Sequence, residues 1–238
     1  MKYAVILAGG TGSRAGGRVP KQFHEIAGRP LLWWSLRAFH EADPDARFII
    51  VVHPDWSEYW SRLMEALPAR ERFDYVAVCG GRDRVESVAN ALDILRGLQP
   101  QDGEALVAVH DGARCCVTPG LIRRGWETAS KYGAAVPAVA VTDSLRRLVP
   151  GRDGEPGGSH SVDRAEYVAV QTPQVFGLPL LLECFDKRVA GHIYTDDASI
   201  VEPHHPITLY PGEYSNIKVT NPGDFAVAEA FHAVAPQN

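Results

Sequence analysis

Residues 7–22 read Leu7-Ala8-Gly9-Gly10-Thr11-Gly12-Ser13-Arg14-Ala15-Gly16-Gly17-Arg18-Val19-Pro20-Lys21-Gln22. This glycine-rich loop follows the apolar segment Tyr3–Leu7, whose composition is typical of a buried strand. Glycines have no side chains that would keep a phosphate away from the backbone N–H groups. Two fixed cations, Arg14 and Lys21, stand in the same loop. The stretch therefore predicts a strand that ends in an anion-binding loop.

Similar apolar strands recur along the chain, and segments with the helical spacing of apolar residues separate them. This alternation predicts an α/β fold, a Rossmann-like, mostly parallel sheet with helices on both faces. The predicted strands are Tyr3–Leu7, Phe48–Val52, Tyr75–Val78, Ala105–Val109, Ala134–Val141 and Ile207–Tyr210. The predicted helices are Pro30–His40, Ser57–Leu67, Val85–Leu98, Gly120–Tyr132, Pro179–Val189, Asp196–Val201 and Pro222–Ala235. Because ligands bind at the carboxyl ends of such strands, the loops after the first, third, fourth and fifth strands are candidate sites.

The alternation breaks between Pro150 and Ser161, where glycine and proline are frequent enough to exclude a helix or a central strand. The flanking stretches Asp143–Val149 and Ser161–Val170 are strand-like, so we predict a β-arm over about residues 142–171. Such an arm has little core of its own. We expect a partner subunit to bury it in a homodimer, and the alternative is an excursion into solvent.

The overall composition indicates a soluble globular protein. With 238 residues, of which 45% are apolar, we predict a single domain over residues 1–238. The formal net charge of −5 gives no global attraction to nucleic acid, and no run approaches the roughly 18 apolar residues of a membrane span. The segment Ala4–Ala8 is too short for a signal sequence, and the four scattered cysteines fit a reducing environment. We therefore expect a cytoplasmic protein that binds neither nucleic acid nor membranes.

The glycine loop by itself leaves two ligand classes open. Residues 10–15 also match the dinucleotide fingerprint G-x-G-x-x-A, which makes a nicotinamide-dependent dehydrogenase an alternative. Against it, further glycines and Pro20 extend the loop, and His53 stands where an acidic residue is expected after the second strand. A triphosphate undergoing substitution at phosphorus gathers charge that Arg14 and Lys21 can stabilise. The loop therefore favours a nucleoside triphosphate.

Several motifs along the chain narrow this class. The sequence L-A-G-G-T-G-S-R followed by P-K-Q resembles the signature of nucleotidyltransferases that join a nucleoside triphosphate to a phosphorylated sugar or sugar alcohol. Six later motifs resemble the 2-C-methyl-D-erythritol 4-phosphate cytidylyltransferase family, in the same order and at similar spacing. They are Gly80-Gly81-Arg82-Asp83-Arg84-Val85-Glu86-Ser87-Val88, Val109-His110-Asp111-Gly112-Ala113-Arg114, Val162-Asp163-Arg164, Gln171-Thr172-Pro173-Gln174, Thr195-Asp196-Asp197 and Asn216-Ile217-Lys218-Val219-Thr220. The resemblance covers essentially the whole chain and implies the nucleotidyltransferase fold.

The resemblance implies transfer of CMP from CTP to 2-C-methyl-D-erythritol 4-phosphate, giving 4-diphosphocytidyl-2-C-methyl-D-erythritol and pyrophosphate, a step of non-mevalonate isoprenoid biosynthesis. No covalent enzyme intermediate forms, so positioning and electrostatics supply the catalysis. Carried over by motif, Arg14, Lys21 and Lys218 are the catalytic cations, and Asp111 holds Mg²⁺, or another divalent cation, against the triphosphate. A role for Asp111 as a helix cap is less consistent, because Thr118 is better placed as the N-cap of the next helix.

The resemblance also assigns the remaining site residues to two ligands. Those implied for CTP are Ala8, Gly9, Gly10, Gly12, Gly80, Gly81, Ser87, Asp111 and Gly112, with the cytosine at the loop after the third strand. Those implied for the phosphorylated polyol are Arg114, Ser144, Arg164, Thr172 and Thr195, with the arm residues reaching the active site of the partner subunit. Read without the family, Ser87 is an ordinary helix residue, Arg164 a surface charge and Thr195 a helix start.

Two other functions remain open. A ribitol-5-phosphate cytidylyltransferase would share these loops and the arm, and Gly112, Cys115, Arg82 and Ser144 depart from the usual family pattern. A non-catalytic nucleotide-binding protein of this fold would be expected to lose Arg14, Lys21 or Asp111. All three residues are present, which favours the enzyme.

Overall fold

The computed structural model describes residues 1–10, 19–98, 105–151 and 157–234 of the chain. The strands are β1 (Lys2–Ala8), β2 (Glu25–Ile26), β3 (Arg29–Pro30), β4 (Arg47–Val52), β5 (Tyr75–Cys79), β6 (Leu106–Asp111), β7 (Ala134–Ala140), β8 (Arg146–Leu148), β9 (Ser159–Ser161), β10 (Val168–Val170), β11 (Gln174–Gly177) and β12 (Thr208–Pro211). The helices are α1 (Leu31–Ala42), α2 (Ser57–Ala66), α3 (Arg84–Gly97), α4 (Pro119–Tyr132), α5 (Leu178–Asp186), α6 (Ala198–Val201) and α7 (Pro222–Val234). Across the described ranges, none of these helices is long and apolar enough to cross a membrane.

Within the described residues, eight strands form one central sheet, in the order β10-β7-β11-β6-β1-β4-β5 with β12 paired to β7. Strand β1 lies between β4 and β6 and is parallel to both, with Ile6 opposite Ile50 and His110. Strands β5 and β12 also join in parallel, whereas β10 and β11 join antiparallel. The mostly parallel sheet that the sequence predicts is confirmed.

Helices cover both faces of the sheet, because successive side chains of a strand point to opposite faces. On β1, Ala4 and Ile6 pack with helices α1, α2 and α4, whereas Tyr3 and Val5 pack with α3, α5 and α6. A strand covered on both faces is apolar at every position, which explains the continuous apolar run in its sequence. This confirms the Rossmann-like arrangement with helices on both faces.

The last helix, α7, contributes to a smaller third cluster. Its Ala228 is fully buried with Ile26, Leu31 and Val219. At the start of the helix, the Asp224 carboxylate accepts two backbone N–H groups at 2.7 and 2.8 Å, which satisfies donors that a helix start leaves unpaired. The cluster holds the segment before α7 against the body of the protein.

The predicted arm differs from the structure in its second strand. Strand β8 pairs antiparallel with β9, so a hairpin is present, and Arg146 lies opposite Ser161. The predicted strand Ser161–Val170 is wrong as one unit, because its last residues form β10 in the central sheet and a short turn over Arg164–Glu166 separates the two parts. The backbone of β10 pairs with that of β7 instead. Protrusion of the hairpin as a dimerisation arm stays a prediction.

One strand of the central sheet is absent from the sequence prediction. Strand β11 lies antiparallel between β6 and β7 and buries Val175 and Phe176. Its four residues begin with Gln174, inside a polar motif, so the segment is too short and too mixed to show the period of a strand. The strand matters for the site, because it positions the nearby Thr172 beside the end of β6, where Oγ1 of Thr172 accepts the N–H of Asp111.

Candidate active site

A cavity of about 640 Å³ lies at the carboxyl ends of β1 and β6, where the topology of a parallel sheet places ligands. Its lining joins segments from both ends of the chain. Eight of the predicted site residues line it, namely Ala8, Gly9, Gly10, Lys21, Gly81, Ser87, Asp111 and Lys218. The structure therefore brings together the described residues of the predicted triphosphate loop, the predicted base loop, the predicted metal ligand and two of the three predicted catalytic cations. The third, Arg14, and also Gly12 lie outside the described residues.

Asp111 is the central charged group of this cavity. Its Oδ2 lies 2.7 Å from Nζ of Lys218, and its Oδ1 lies 3.4 Å from Nε of Arg84. Burial alone would raise the pKa of the Asp111 carboxyl, but the two cations outweigh burial and hold the pKa well below its usual range. The backbone N–H of Asp111 donates to Oγ1 of Thr172 at 3.0 Å. The cavity thus presents a fixed, ionised carboxylate.

Arg84 connects Asp111 to a second, fully buried carboxylate. Its Nη1 and Nη2 donate to Oδ1 and Oδ2 of Asp197 at 2.8 and 2.7 Å, the bidentate geometry that suits a guanidinium. The Asp197 side chain is 0% exposed, and burial raises its pKa, although the contact with Arg84 opposes the rise. Arg84 and Asp197 both lie within the sequence motifs of the predicted site, but neither is among the predicted site residues. Their opposite charges in two motifs of the same site were the available signal.

Gln22, which is almost fully buried, holds the described part of the glycine loop by hydrogen bonds to its backbone. Its Nε2 donates to the carbonyl oxygens of Ala8 and Gly10 at 2.6 and 2.9 Å. The neighbouring Lys21 donates from Nζ to the carbonyl oxygen of Val219 at 2.6 Å. These bonds tie the loop after β1 to the segment that carries Lys218. Gln22 is a further site residue that the sequence motifs do not predict.

The predicted base loop is organised by its own hydrogen bonds. The N–H of Gly81 donates to Oγ of Ser87 at 3.0 Å, and that hydroxyl donates to the carbonyl oxygen of Asp83 at 2.7 Å. Arg82 also lines the cavity, with its Nε 2.9 Å from Oε2 of Glu86 and its side chain 91% exposed. Contact of a base with backbone groups, rather than with the Arg82 side chain, stays a prediction.

Seven of the predicted contact residues in the described ranges lie outside the cavity lining. The N–H of Gly112 donates to the carbonyl oxygen of Leu7 at 2.9 Å, so this residue packs behind the lining. Arg114 donates to the carbonyl oxygen of Asn216 at 2.8 Å. The others are Thr172, Gly80, Ser144, Arg164 and Thr195, of which the last three are exposed. Contacts of these residues with CTP or with the second substrate stay predictions.

Thr172 lies behind Asp111, beside a neutral histidine. Its Oγ1 lies 3.1 Å from Nδ1 of His110, whose Nε2 lies 3.2 Å from the carbonyl oxygen of Arg114. Burial lowers the pKa of His110 to about 4, which keeps the ring uncharged at neutral pH. Both ring nitrogens have partners, so His110 orients Thr172 and the Arg114 backbone and is not placed to act as a base.

The sheet order, the loop after β1 and the cation-lined cavity define an α/β protein of the nucleotidyltransferase class. The family model described as 2-C-methyl-D-erythritol 4-phosphate cytidylyltransferase matches residues 2–233, nearly the whole chain. The chain belongs to this cytidylyltransferase family.

Individual relatives agree with the family match. A protein of Bacteroides thetaiotaomicron named 2-C-methyl-D-erythritol 4-phosphate cytidylyltransferase is 37% identical over 233 residues, which cover 97% of this chain and 100% of the relative. A protein of Geobacillus kaustophilus with the same name is 38% identical over 238 residues, with 98% of each chain covered. The crystal structure of the enzyme of that name from Thermus thermophilus superposes with a TM-score of 0.73 at 33% identity, covering 97% of this chain and 98% of that one.

The buried ion pair predicts a large effect on stability. Asp197→Asn should lower the free energy of unfolding by about 3 kcal/mol, because it leaves the largely buried Arg84 without its bidentate partner. The matched control is Asp186→Asn, which removes the carboxylate of an exposed pair with Arg96 and should change stability by less than about 1 kcal/mol. Urea unfolding of both variants measures the two effects. Equal losses would show that Asp197 does not support the site in this way.

Proposed function

We propose that this protein transfers CMP from CTP to 2-C-methyl-D-erythritol 4-phosphate, forming 4-diphosphocytidyl-2-C-methyl-D-erythritol and releasing pyrophosphate. One observation carries the proposal: Lys21, Asp111 and Lys218, from three distant motifs, line one cavity in a chain that belongs to the cytidylyltransferase family. A non-catalytic nucleotide-binding protein would not require this combination of two cations and an ionised carboxylate.

The charges of the cavity suit direct substitution at phosphorus. An oxygen of the substrate phosphate attacks the α-phosphorus of CTP, and negative charge builds on the α-phosphate oxygens as pyrophosphate leaves. The Val219 carbonyl and Asp111 hold Lys21 and Lys218 at the cavity lining, and we propose that the α-phosphate binds beside them. Cations fixed in advance stabilise the developing charge without reorganising during the reaction. Arg14, from the same glycine loop, is proposed as the third catalytic cation.

The Asp111 carboxylate fits the divalent cation that we propose as cofactor. Mg²⁺ prefers oxygen ligands and is usually held by one or two carboxylates together with substrate phosphates. Asp111 is ionised, 13% exposed and part of the cavity lining, so it can provide such a ligand. The cation would neutralise charge on the triphosphate and on the leaving pyrophosphate.

Base selection is proposed to rest on the loop between β5 and α3. The Gly81 to Ser87 hydrogen bond fixes the backbone of this loop at the cavity wall. Fixed backbone N–H and carbonyl groups can pair with the amine, the ring nitrogen and the carbonyl of cytosine. A tight loop of this kind would exclude the larger purines.

We also propose a homodimer in which the β8–β9 hairpin completes the active site of the partner. Three observations support it. Ser144 and Arg164 lie outside the cavity lining of their own chain, and Leu148 in the hairpin is 81% exposed. Strand β10 exposes Val168 and Val170 at the edge of the sheet. Apolar side chains of this kind are covered more often in an interface than in a monomer.

The catalytic cations can be tested by substitution. Lys21→Ala, Lys218→Ala and Arg14→Ala should each lower kcat by about 10²–10³, because each removes a charge that stabilises the transition state. Lys187→Ala is the matched control, since this exposed lysine pairs with Glu183 of its own helix turn, away from the cavity lining, and its activity should not change. Pyrophosphate release with CTP and Mg²⁺ is the readout, with circular dichroism to verify folding. A lysine variant with normal kcat would not be catalytic.

Substrate identity is tested by the same assay with a panel of phosphorylated polyols. We expect the highest kcat/KM for 2-C-methyl-D-erythritol 4-phosphate. A pocket built to hydrogen-bond particular hydroxyls can reject an analogue that lacks them by about 10⁴ or more, whereas one methyl is worth only about 10–200-fold. Preference for ribitol 5-phosphate would reject the proposed substrate and leave cytidylyl transfer in place. Failure of every polyol, with CTP bound, would favour the non-catalytic alternative.

The shared active site predicts that the dimer is required for activity. Leu148→Glu should weaken association and lower activity together, because it introduces a charge on the exposed apolar side of the hairpin. Ile193→Glu, at an 87% exposed position outside the hairpin, is the control and should leave both unchanged. Light scattering and turnover, measured on the same samples, show whether activity requires the dimer. A fully active monomer would contradict the shared site.

A further inference from the structure

Two cysteines and a histidine meet behind the candidate active site, between the loop after β6 and helix α7. Cys115 and Cys116 follow Arg114 directly, and His232 lies in the last turn of α7. The two Sγ atoms are 3.8 Å apart, and Sγ of Cys116 is 3.8 Å from Nε2 of His232. All three donor atoms lie within 4.8 Å of one another. The proposed cytidylyl transfer uses none of these three side chains.

The separations match those of ligands around one metal ion. With Zn–S distances of about 2.3 Å and Zn–N distances of about 2.0–2.1 Å, tetrahedral geometry places neighbouring donors roughly 3.6–3.8 Å apart. Both separations that involve Cys116 already have this value within a few tenths of an ångström. A bound ion would require only a small approach of Cys115 to His232.

The residues around the two cysteines and His232 restrict the three side chains and shield the thiols from solvent. Cys115 is 1% exposed and Cys116 is 6% exposed, within the third apolar cluster. The ring of His232 stacks on Trp34 with centroids 4.0 Å apart, and the indole Nε1 of Trp34 donates to the carbonyl oxygen of Ile26 at 2.9 Å. The stacking orients Nε2 of His232 toward the thiols. Ligands that are oriented before binding lose little freedom when a metal arrives.

The chemistry of the donor set also favours a soft cation. The contact with the Cys115 thiol lowers the pKa of Cys116, and His232 acts in the same direction. Cysteine binds metals as the thiolate, so thiol protons would be released to solvent when a cation binds. Thiolate and imidazole ligands select thiophilic cations over Mg²⁺ or Ca²⁺.

We propose that Cys115, Cys116 and His232 bind one thiophilic d¹⁰ divalent cation, of which Zn²⁺ and Cd²⁺ are the probes. The ion joins α7 to the loop that leaves β6. In that loop the carbonyl oxygen of Ala113 accepts the N–H of Val219 at 2.9 Å. The proposed metal site is therefore connected to the segment that carries Lys218. The site is separate from the proposed Mg²⁺ ligand and does not depend on the proposed activity.

The test uses the full-length, untagged protein, reduced and freed of metal. Zn²⁺ affinity is measured by competition with a chromophoric chelator, and Cd²⁺ binding by its sulfur-to-metal charge-transfer absorption, to which a cation on Asp111 does not contribute. We expect one equivalent of either ion and a rise in melting temperature. Cys116→Ser and His232→Ala should each weaken Zn²⁺ binding by more than about 100-fold, since loss of even an outer partner costs about 10–100-fold.

Matched variants keep the result interpretable. Cys79→Ser removes an exposed thiol and Cys184→Ser a buried one, so both should bind Zn²⁺ as the unchanged protein does. His204→Ala removes an exposed histidine outside the cluster and should have no effect. The double variant Cys115→Ala, Cys116→Ala is made in the Cys79→Ser background, which removes the exposed thiol that could bind Cd²⁺ by itself. It retains small apolar side chains at the site, and it should fold but show no absorption band with Cd²⁺. A band that persists in this variant, or equal Zn²⁺ affinity in His232→Ala, would overturn the site.

Discussion

The site depends on the position of one carboxylate, Asp111, at the last residue of a central strand. Burial would neutralise an isolated carboxylate there, and Arg84 and Lys218 keep it ionised instead. Arg84 is in turn held by the fully buried Asp197, so the charges form a chain from the interior to the cavity. Removing any member leaves a neighbour in a low-dielectric environment without its counter-charge. The geometry of the cavity and the stability of the fold are therefore linked through the same groups.

Most of the architecture follows from local sequence patterns. The apolar runs of β1, β4 and β6 are continuous because these strands are covered on both faces, and such runs are recognisable without a structure. Strand β11 cannot be predicted from the sequence, because four residues are too few to show the alternation of apolar and polar side chains. Its place in the sheet depends on pairing with strands that lie far away in sequence. The same reason explains β10, which pairs with β7 instead of extending the predicted arm.

The site was predictable to the extent that its residues belong to motifs. Lys21, Asp111 and Lys218 were identified in this way, and the structure places all three in one cavity. Arg84 and Asp197 are separated by 113 residues along the chain, and only the tertiary packing makes them a pair. Nothing in the spacing of either residue reveals that contact. Residues that hold the side chains of a site in position are difficult to identify from sequence, because their partners are set by the tertiary structure.

The ion pair between Lys218 and Asp111 has a consequence for how ligands reach the cavity. Nζ of Lys218 lies 2.7 Å from Oδ2 of Asp111, so a phosphate that enters the cavity competes with this carboxylate for the lysine. Beyond a Debye length, about 8 Å at physiological ionic strength, exposed charges are largely screened, and the whole molecule carries a net charge of −5. The exchange of partners on Lys218 is therefore a short-range event, which takes place only when a phosphate reaches the lining of the cavity.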